Sequence, residues 1–460
     1  MCGIGAILHK NPNININKFL YEILFNLQHR GQHSSGFIIY DTLNHINTIN
    51  KQLGLVENNL TALSNSNGNV GIGHVRYPTQ GSTSQNEIQP FYSNEFNGIS
   101  LCHNGNITNT KCIKNILSNK MLPITTSDSE LLLQYFIYLL KQYISNISEL
   151  NNDIIKNIVK NIYDNVKGSY SIIIMINSYG LITFRDIYGI RPLVYNISND
   201  FIEIASETIA LKESENYINV KNGEVIIIKS LDDIENIQIY NYPLKPCLFE
   251  YIYFARPESY INDILVYEYR EKSMEKLLNI ITNNINADDI DCVIPVPQTG
   301  IISGIKIAQL LNKPIKQAII KNRYTHRTFI ENGDNIIKGI KKIKIIKKLV
   351  YNKNVLIVDD SIVRGNTSKY IINELKKNGV RNIYFISCCP PIKYPNIYGI
   401  SIPTYNELIA NNKTVENIEK ELGVKKLIFL NLNNLCETLL EINSNLNEFE
   451  DSVFTGNYLT

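Results

Sequence analysis

The chain has 460 residues, 44% hydrophobic and 19% charged, with a formal net charge of +2 at neutral pH. That length supplies two or three domains with proper cores. The near-neutral balance argues against a nucleic acid as the main partner, and no apolar run is long enough to span a bilayer.

The chain opens MCGIGAI. Only Met1 precedes Cys2, so neither a targeting peptide nor a propeptide beyond Met1 is expected. Removal of Met1 would leave a thiol and a free α-amine on one carbon framework. Their ordinary pKa values, about 8.5 and about 8, make the amine a matched base for the thiol. From position alone, the plainer reading of Cys2 as an ordinary second residue is the favoured one. The other cysteines (Cys102, Cys112, Cys247, Cys292, Cys388, Cys389 and Cys436) are scattered without a Cys-x-x-Cys pair, as expected of reduced cytoplasmic thiols.

In QHRGQHSSG (28–36), His29 and His33 are spaced like a metal pair. No carboxylate motif accompanies them and Gly31 weakens a helix there, so no metal site is expected. TTSDSELLLQYFIYLL (125–140) predicts a helix starting at Ser127. Ser127 and Glu130 form a capping box, and the apolar run is broad enough for deep burial. SYSIIIMI (169–176) and GLITFRD (180–186) predict strands joined at Asn177–Tyr179. The two prolines of YNYPLKPC mark a boundary near 235–250, giving domains 2–240 and 241–460.

Beyond the boundary the pattern becomes strand–loop–helix. VIPV (293–296) leads to GIKIAQLLN, and VLIV (355–358) leads to KYIINELKKNG with Gly379 as a helix stop. IYFIS (383–387) follows, and these units imply a parallel sheet. In VLIVDDSIVRGNTS (355–368), Asp359 and Asp360 end a buried strand, at the sheet edge where open α/β folds bind ligands. The loop that follows, with the Thr367 and Ser368 hydroxyls at a helix start, forms an anion cradle. Paired acids suit ribose hydroxyls and a magnesium ion, and the cradle suits a 5′-phosphate. No G-K-[ST] is present, so this is not a Walker loop.

MCGI, QHRGQHSSG, GHVRYPTQG (73–81), CHNGNITN (102–109) and TTSDSE (125–130), in that order, resemble the glutamine amidotransferases of the N-terminal-nucleophile class. The resemblance implies a four-layer αββα sandwich with Cys2 as nucleophile. It implies the Asn104 side-chain amide and the Gly105 N–H as oxyanion donors. Arg76 would grip the glutamine α-carboxylate, Asp128 the α-ammonium, and Thr79 belongs to the same glutamine site. Each has a plainer reading. Asp128 suits the first turn of a helix for dipole reasons, Asn104-Gly105 is a hairpin signal, and Arg76 could form a surface ion pair. His33 departs from the acid usual at that place.

VLIVDDSIVRGNTS resembles the phosphoribosyl-pyrophosphate (PRPP) signature of type I phosphoribosyltransferases. Together with CLFEYIYFARPES (247–259), KNRYTHRTFI (321–330) and SVFTGNYLT (452–460), it extends a resemblance to the amidophosphoribosyltransferases over nearly the whole chain. This implies an α/β and α+β two-domain protein whose second half is a type I phosphoribosyltransferase sheet. It implies PRPP contacts from Asp359, Asp360, Ser361, Val363, Arg364, Gly365, Asn366, Thr367 and Ser368, with Arg323 and Arg327 on a segment that folds over the substrate. It further implies one Mg²⁺ per subunit at Thr299, Asp359 and Asp360, a passage for ammonia, a homotetramer, and purine nucleotide feedback inhibitors. One branch of the family holds an iron–sulfur cluster. EFEDSVFTGNYLT has no cysteine and Asn396 stands where that branch has one, so no cluster is expected. Gln298, His326 and Asn366 are departures from the family pattern, though Asn366 is expected to cap the helix that follows. Two other readings share part of this evidence: a sugar-phosphate amidotransferase, which would lack the PRPP signature, and a PRPP sensor, which would lack Cys2, Arg76 or Asp128.

Overall fold

A computed structural model describes residues 2–77, 84–118, 121, 123–321, 343–402 and 404–460. Thr79, Arg323, His326 and Arg327 lie outside the described residues.

The first half is built on two antiparallel sheets. One has seven strands, in the order Ile218–Asn219, Val194–Ile197, Phe201–Ala205, Gly3–His9, Val70–Arg76, Ser34–Asp41, Ile46–Leu53. The other has six: Asp233–Gln238, Glu224–Ser230, Gly180–Arg185, Gly168–Ile176, Ile99–Ile107, Phe91–Ser93. The inner faces meet through Ile4, Ala6, Ile38, Ile72, Ile173, Ile204 and Ile226. The helix Asn17–Asn26 covers the outside of the first sheet with Leu20, Ile23 and Leu24. Asp128–Tyr143 and Asn152–Asn165 cover the outside of the second. The four layers αββα therefore follow from strands that are apolar on both faces.

The helix from 128 is buried on most of its circumference, but its cap differs from the expected box. The Ser127 hydroxyl accepts from Ser129 N at 3.3 Å. Glu130 reaches past Ser127 to accept from Thr125 N at 2.7 Å and Ile124 N at 3.1 Å. The carboxylate is long enough to gather the amides of the incoming loop, so it secures that loop instead of the cap residue.

In the second half, Cys292–Pro295, Asn354–Asp359, Asn382–Ser387 and Lys426–Phe429 form a parallel sheet. Helices Val266–Asn284 and Leu432–Ile442 pack on one face; Asn366–Lys377 and Val415–Leu422 pack on the other. Gly365, not Asn366, occupies the N-cap of the helix Asn366–Lys377, at φ +76°. A left-handed residue there favours glycine, so Asn366 becomes the first helical residue. Among the described residues, no helix is long and apolar enough to cross a membrane.

Candidate active site

Strand alternation places the first cluster. Ile4 and Ile72 face the opposite sheet, and Ile4 is registered against His74. His74 and Arg76 therefore share the inner face with Ile72, and Cys2 shares it with Ile4. On the second sheet Cys102 faces inward, so Asn104, two residues on, does too. Cys2, Arg76 and Asn104 meet at one end of the inter-sheet layer.

The Cys2 main-chain nitrogen donates to Asn104 Oδ1 at 3.2 Å, and Cys2 Sγ lies 3.7 Å from the Tyr77 carbonyl. Asn104 is fully buried, and its Nδ2 has no hydrogen-bond partner among the described residues. A buried, unpartnered donor beside a thiol is what an oxyanion site requires. Gly105 lies within the strand Ile99–Ile107, so Asn104-Gly105 is not a hairpin turn. A Cβ at Gly105 would stand 2.0 Å from the Ser169 carbonyl oxygen.

Arg76 is buried, and its Nη2 donates to Glu87 Oε2 at 2.9 Å. The surface reading of Arg76 is thereby excluded. Asp128 Oδ2 accepts from Ile107 N at 3.0 Å, tying the helix start to the end of the Asn104 strand. His29 is used by Glu207, whose Oε1 lies 2.7 Å from its Nε2, and Gly31 packs against the Arg76 main chain.

The second cluster lies at the carboxyl edge of the parallel sheet. Asp359 ends its strand, and its Oδ1 accepts from Asp360 N at 3.0 Å. Ser361 Oγ donates to Asp360 Oδ1 at 2.6 Å, and the Thr299 hydroxyl contacts the same carboxylate. Burial, reinforced by Asp360, pushes the Asp359 carboxyl well above the usual carboxylate range. Two adjacent buried carboxylates ionise together only with a cation between or beside them. Their oxygens and the Thr299 hydroxyl are hard donors of the kind Mg²⁺ takes alongside substrate phosphates. The residues fit the ion.

Val363 and Gly365 are held from one side by Ile409. Ile409 N donates to the Val363 carbonyl at 3.0 Å, and its side chain covers Gly365. Arg364 pairs loosely with Glu407, at 3.7 Å. The same stretch of chain starts at the other cluster: Asn106 Nδ2 donates to the Ile397 carbonyl at 2.8 Å. One end of this stretch, at Ile397, thus meets the strand bearing Asn104, and the other, at Ile409, meets the loop at Val363 and Gly365.

Curated relatives match the chain from end to end. Amidophosphoribosyltransferases of Pasteurella multocida and Escherichia coli are 41% and 40% identical over all of this chain and 93% of their own lengths. That of Saccharomyces cerevisiae is 36% identical over all of this chain and 92% of its own. The chain belongs to the amidophosphoribosyltransferase family. Residues 74–213 match the glutamine amidotransferase domain family and residues 266–394 the phosphoribosyl transferase domain family. The solved glutamine PRPP amidotransferase of B. subtilis, complexed with ADP and GMP, superimposes with a TM-score of 0.85 at 31% identity, covering 100% of this chain and 97% of that one. A structure titled as the allosteric regulatory enzyme of purine biosynthesis gives 0.85 at 32%, covering 100% and 96%.

Sequence reasoning missed the buried charges around the family site. Arg30, Glu87, Arg191, Glu207 and Glu250 are each at most 2% exposed. Charged residues are rarely buried unless paired, but no local pattern reveals which ones will be.

Proposed function

We propose that the chain transfers the amide nitrogen of glutamine to C1 of PRPP, giving 5-phosphoribosylamine, glutamate and diphosphate. This is the first committed step of de novo purine synthesis. The supporting observation is the pairing of Cys2 with Asn104, whose buried Nδ2 has no hydrogen-bond partner among the described residues.

After loss of Met1, the α-amine takes the thiol proton and the sulfur attacks the glutamine carboxamide. Asn104 Nδ2 and the Gly105 N–H hold the oxyanion. On collapse the Cys2 α-ammonium returns its proton to the departing nitrogen, which leaves as ammonia with the glutamyl thioester formed; water then cleaves the thioester to glutamate and restores the thiol. Arg76, Thr79 and Asp128 hold the amino-acid end of the substrate. Ammonia passes to the second site and displaces diphosphate from C1. There Ser361, Val363, Arg364, Gly365, Asn366, Thr367 and Ser368 cradle the 5′-phosphate, with Asp359 and Asp360 near the ribose. Arg323 and Arg327 close over PRPP. Thr299, Asp359 and Asp360 would hold one Mg²⁺, which offsets charge on the leaving diphosphate.

The division of labour falls at residues 2–240 and 241–460. Because a family structure was solved with ADP and GMP, purine nucleotides are proposed to inhibit this chain as well. A cytoplasmic homotetramer without an iron–sulfur cluster completes the reading.

The test is PRPP-stimulated release of glutamate, with and without Cys2→Ser. The variant is expected to lose glutamine-dependent product yet keep making it from added ammonia. Loss of both in folded protein would refute the division of labour.

A further inference from the structure

Four buried charges link the nucleophile to the second half of the chain. Arg30 Nε donates to the Cys2 carbonyl at 3.0 Å. The rest of its guanidinium is taken by Glu207 and by Glu250. Arg30 Nη2 reaches Glu250 Oε1 at 2.8 Å, and Nη1 reaches Oε2 at 3.1 Å. Glu250 Oε1 also accepts from Arg191 Nη1 at 3.4 Å. Arg191 in turn donates through Nε and Nη2 to the Tyr398 carbonyl, at 2.9 and 2.6 Å. That carbonyl also accepts from Ser169 Oγ at 2.8 Å. Ser169 is registered opposite Asn106, next to the oxyanion donors.

The charges balance: Arg30 and Arg191 against Glu207 and Glu250. Two guanidiniums packed this closely repel unless a carboxylate lies between them, and Glu250 is that carboxylate. Each guanidinium is a planar fork, so its position is fixed by what its far end holds. Arg30 carries the position of Glu250 to the Cys2 main chain. Arg191 carries it to the Tyr398 carbonyl, and so to the strand bearing Asn104 and Gly105.

We propose that Glu250, contributed by the second half, is a positioning residue for the glutaminase, setting Cys2 through Arg30 and the oxyanion strand through Arg191. The inference rests on the proposed function, since it assigns Glu250 to the thiol step of that reaction. Among the described residues Glu250 bonds to Arg30 and Arg191 and to none of the candidate substrate-binding residues, so transfer from added ammonia is not expected to draw on it. Misplacing a nucleophile by about 1 Å costs on the order of a hundredfold in rate.

The test is Glu250→Gln in the full chain, assayed with glutamine and with ammonia. The glutamine-dependent kcat is expected to fall about thirty- to hundredfold. The KM for glutamine should stay within about threefold, because Arg76 is held by Glu87 and Asp128 by the Ile107 N–H, and ammonia-dependent turnover within about twofold. A merely structural role would lower both activities together. That outcome, or an unchanged glutamine kcat, overturns the proposal. If Glu250→Gln does not fold, Arg191→Lys decides on the same readouts, since it keeps the charge but loses the fork on Tyr398. Wild-type protein without glutamine-dependent turnover would instead defeat the proposed function.

Discussion

Gly399 lies so close to Gly105 that a Cβ at 399 would stand 2.7 Å from the Gly105 carbonyl oxygen. A residue of the second half thus backs the strand of the first that bears Asn104 and Gly105. Gly399 also has φ +92°, a conformation that disfavours any side chain. Gly399→Ala is expected to destabilise the protein by about 1–3 kcal/mol through overpacking. Thermal unfolding measures that loss. Glutamine turnover should fall more than ammonia turnover, because the displaced strand carries only the glutaminase donors.

Asn104 immediately precedes Gly105 on the same strand. Its Oδ1 is occupied by the Cys2 nitrogen at 3.2 Å, while its Nδ2 is buried without a partner. Asn104→Ala should lower the glutamine-dependent kcat by about 10²–10³-fold, the usual cost of one oxyanion donor. Steady-state kinetics with glutamine and with ammonia would separate this from a folding defect. Equal loss with both nitrogen sources would argue against the oxyanion role.

Asp359 and Asp360 directly precede the loop that Ile409 holds at Val363 and Gly365. The high pKa of the Asp359 carboxyl reflects first its burial and then the adjacent Asp360. Asp359→Asn should cut synthesis from both nitrogen sources by about a hundredfold or more, since a metal ion contributes several kcal/mol to such a transition state. Glutamine hydrolysis without PRPP should continue. Chelation of divalent ions should abolish synthesis, and added Mg²⁺ should restore it. Activity unaffected by chelation would count against a metal at Thr299, Asp359 and Asp360.

His74 gives the site an acid limit. Burial first, and Arg76 second, lower its pKa to about 3. The unfolded chain binds that proton near pH 6.5, well before the folded protein does. Stability from this group is therefore complete above about pH 6.5 and is lost progressively as pH falls towards 3. The melting temperature should decline across that window and decline less steeply in His74→Gln. Identical slopes in the two proteins would place the acid sensitivity elsewhere.

Periodicity alone was enough to place the Gly168–Ile176 and Gly180–Arg185 strands, the buried helix from Asp128, and the strand–loop–helix units of the second half. These are local: the β-branched runs, the glycine stops and the acid pair after Val358 each act within a few residues. The candidate residues Cys2, Asn104, Asp359 and Asp360 were legible for the same reason, as short motifs in a fixed order. Ser127 caps the helix as read, but Glu130 completes no box with it because that carboxylate meets amides in the incoming loop; the other cap stands at Gly365 and not Asn366 because backbone geometry favours glycine there.

What only the tertiary structure decided is which distant charges share one buried place. Arg30 and Glu250 are 220 positions apart, and Arg191 and Tyr398 are 207 apart. No spacing rule connects them, because their meeting depends on how the two sheets and the second half pack. Burial then sets the energetics: a carboxylate that would count for little on the surface becomes, out of water, the group that holds two guanidiniums in place.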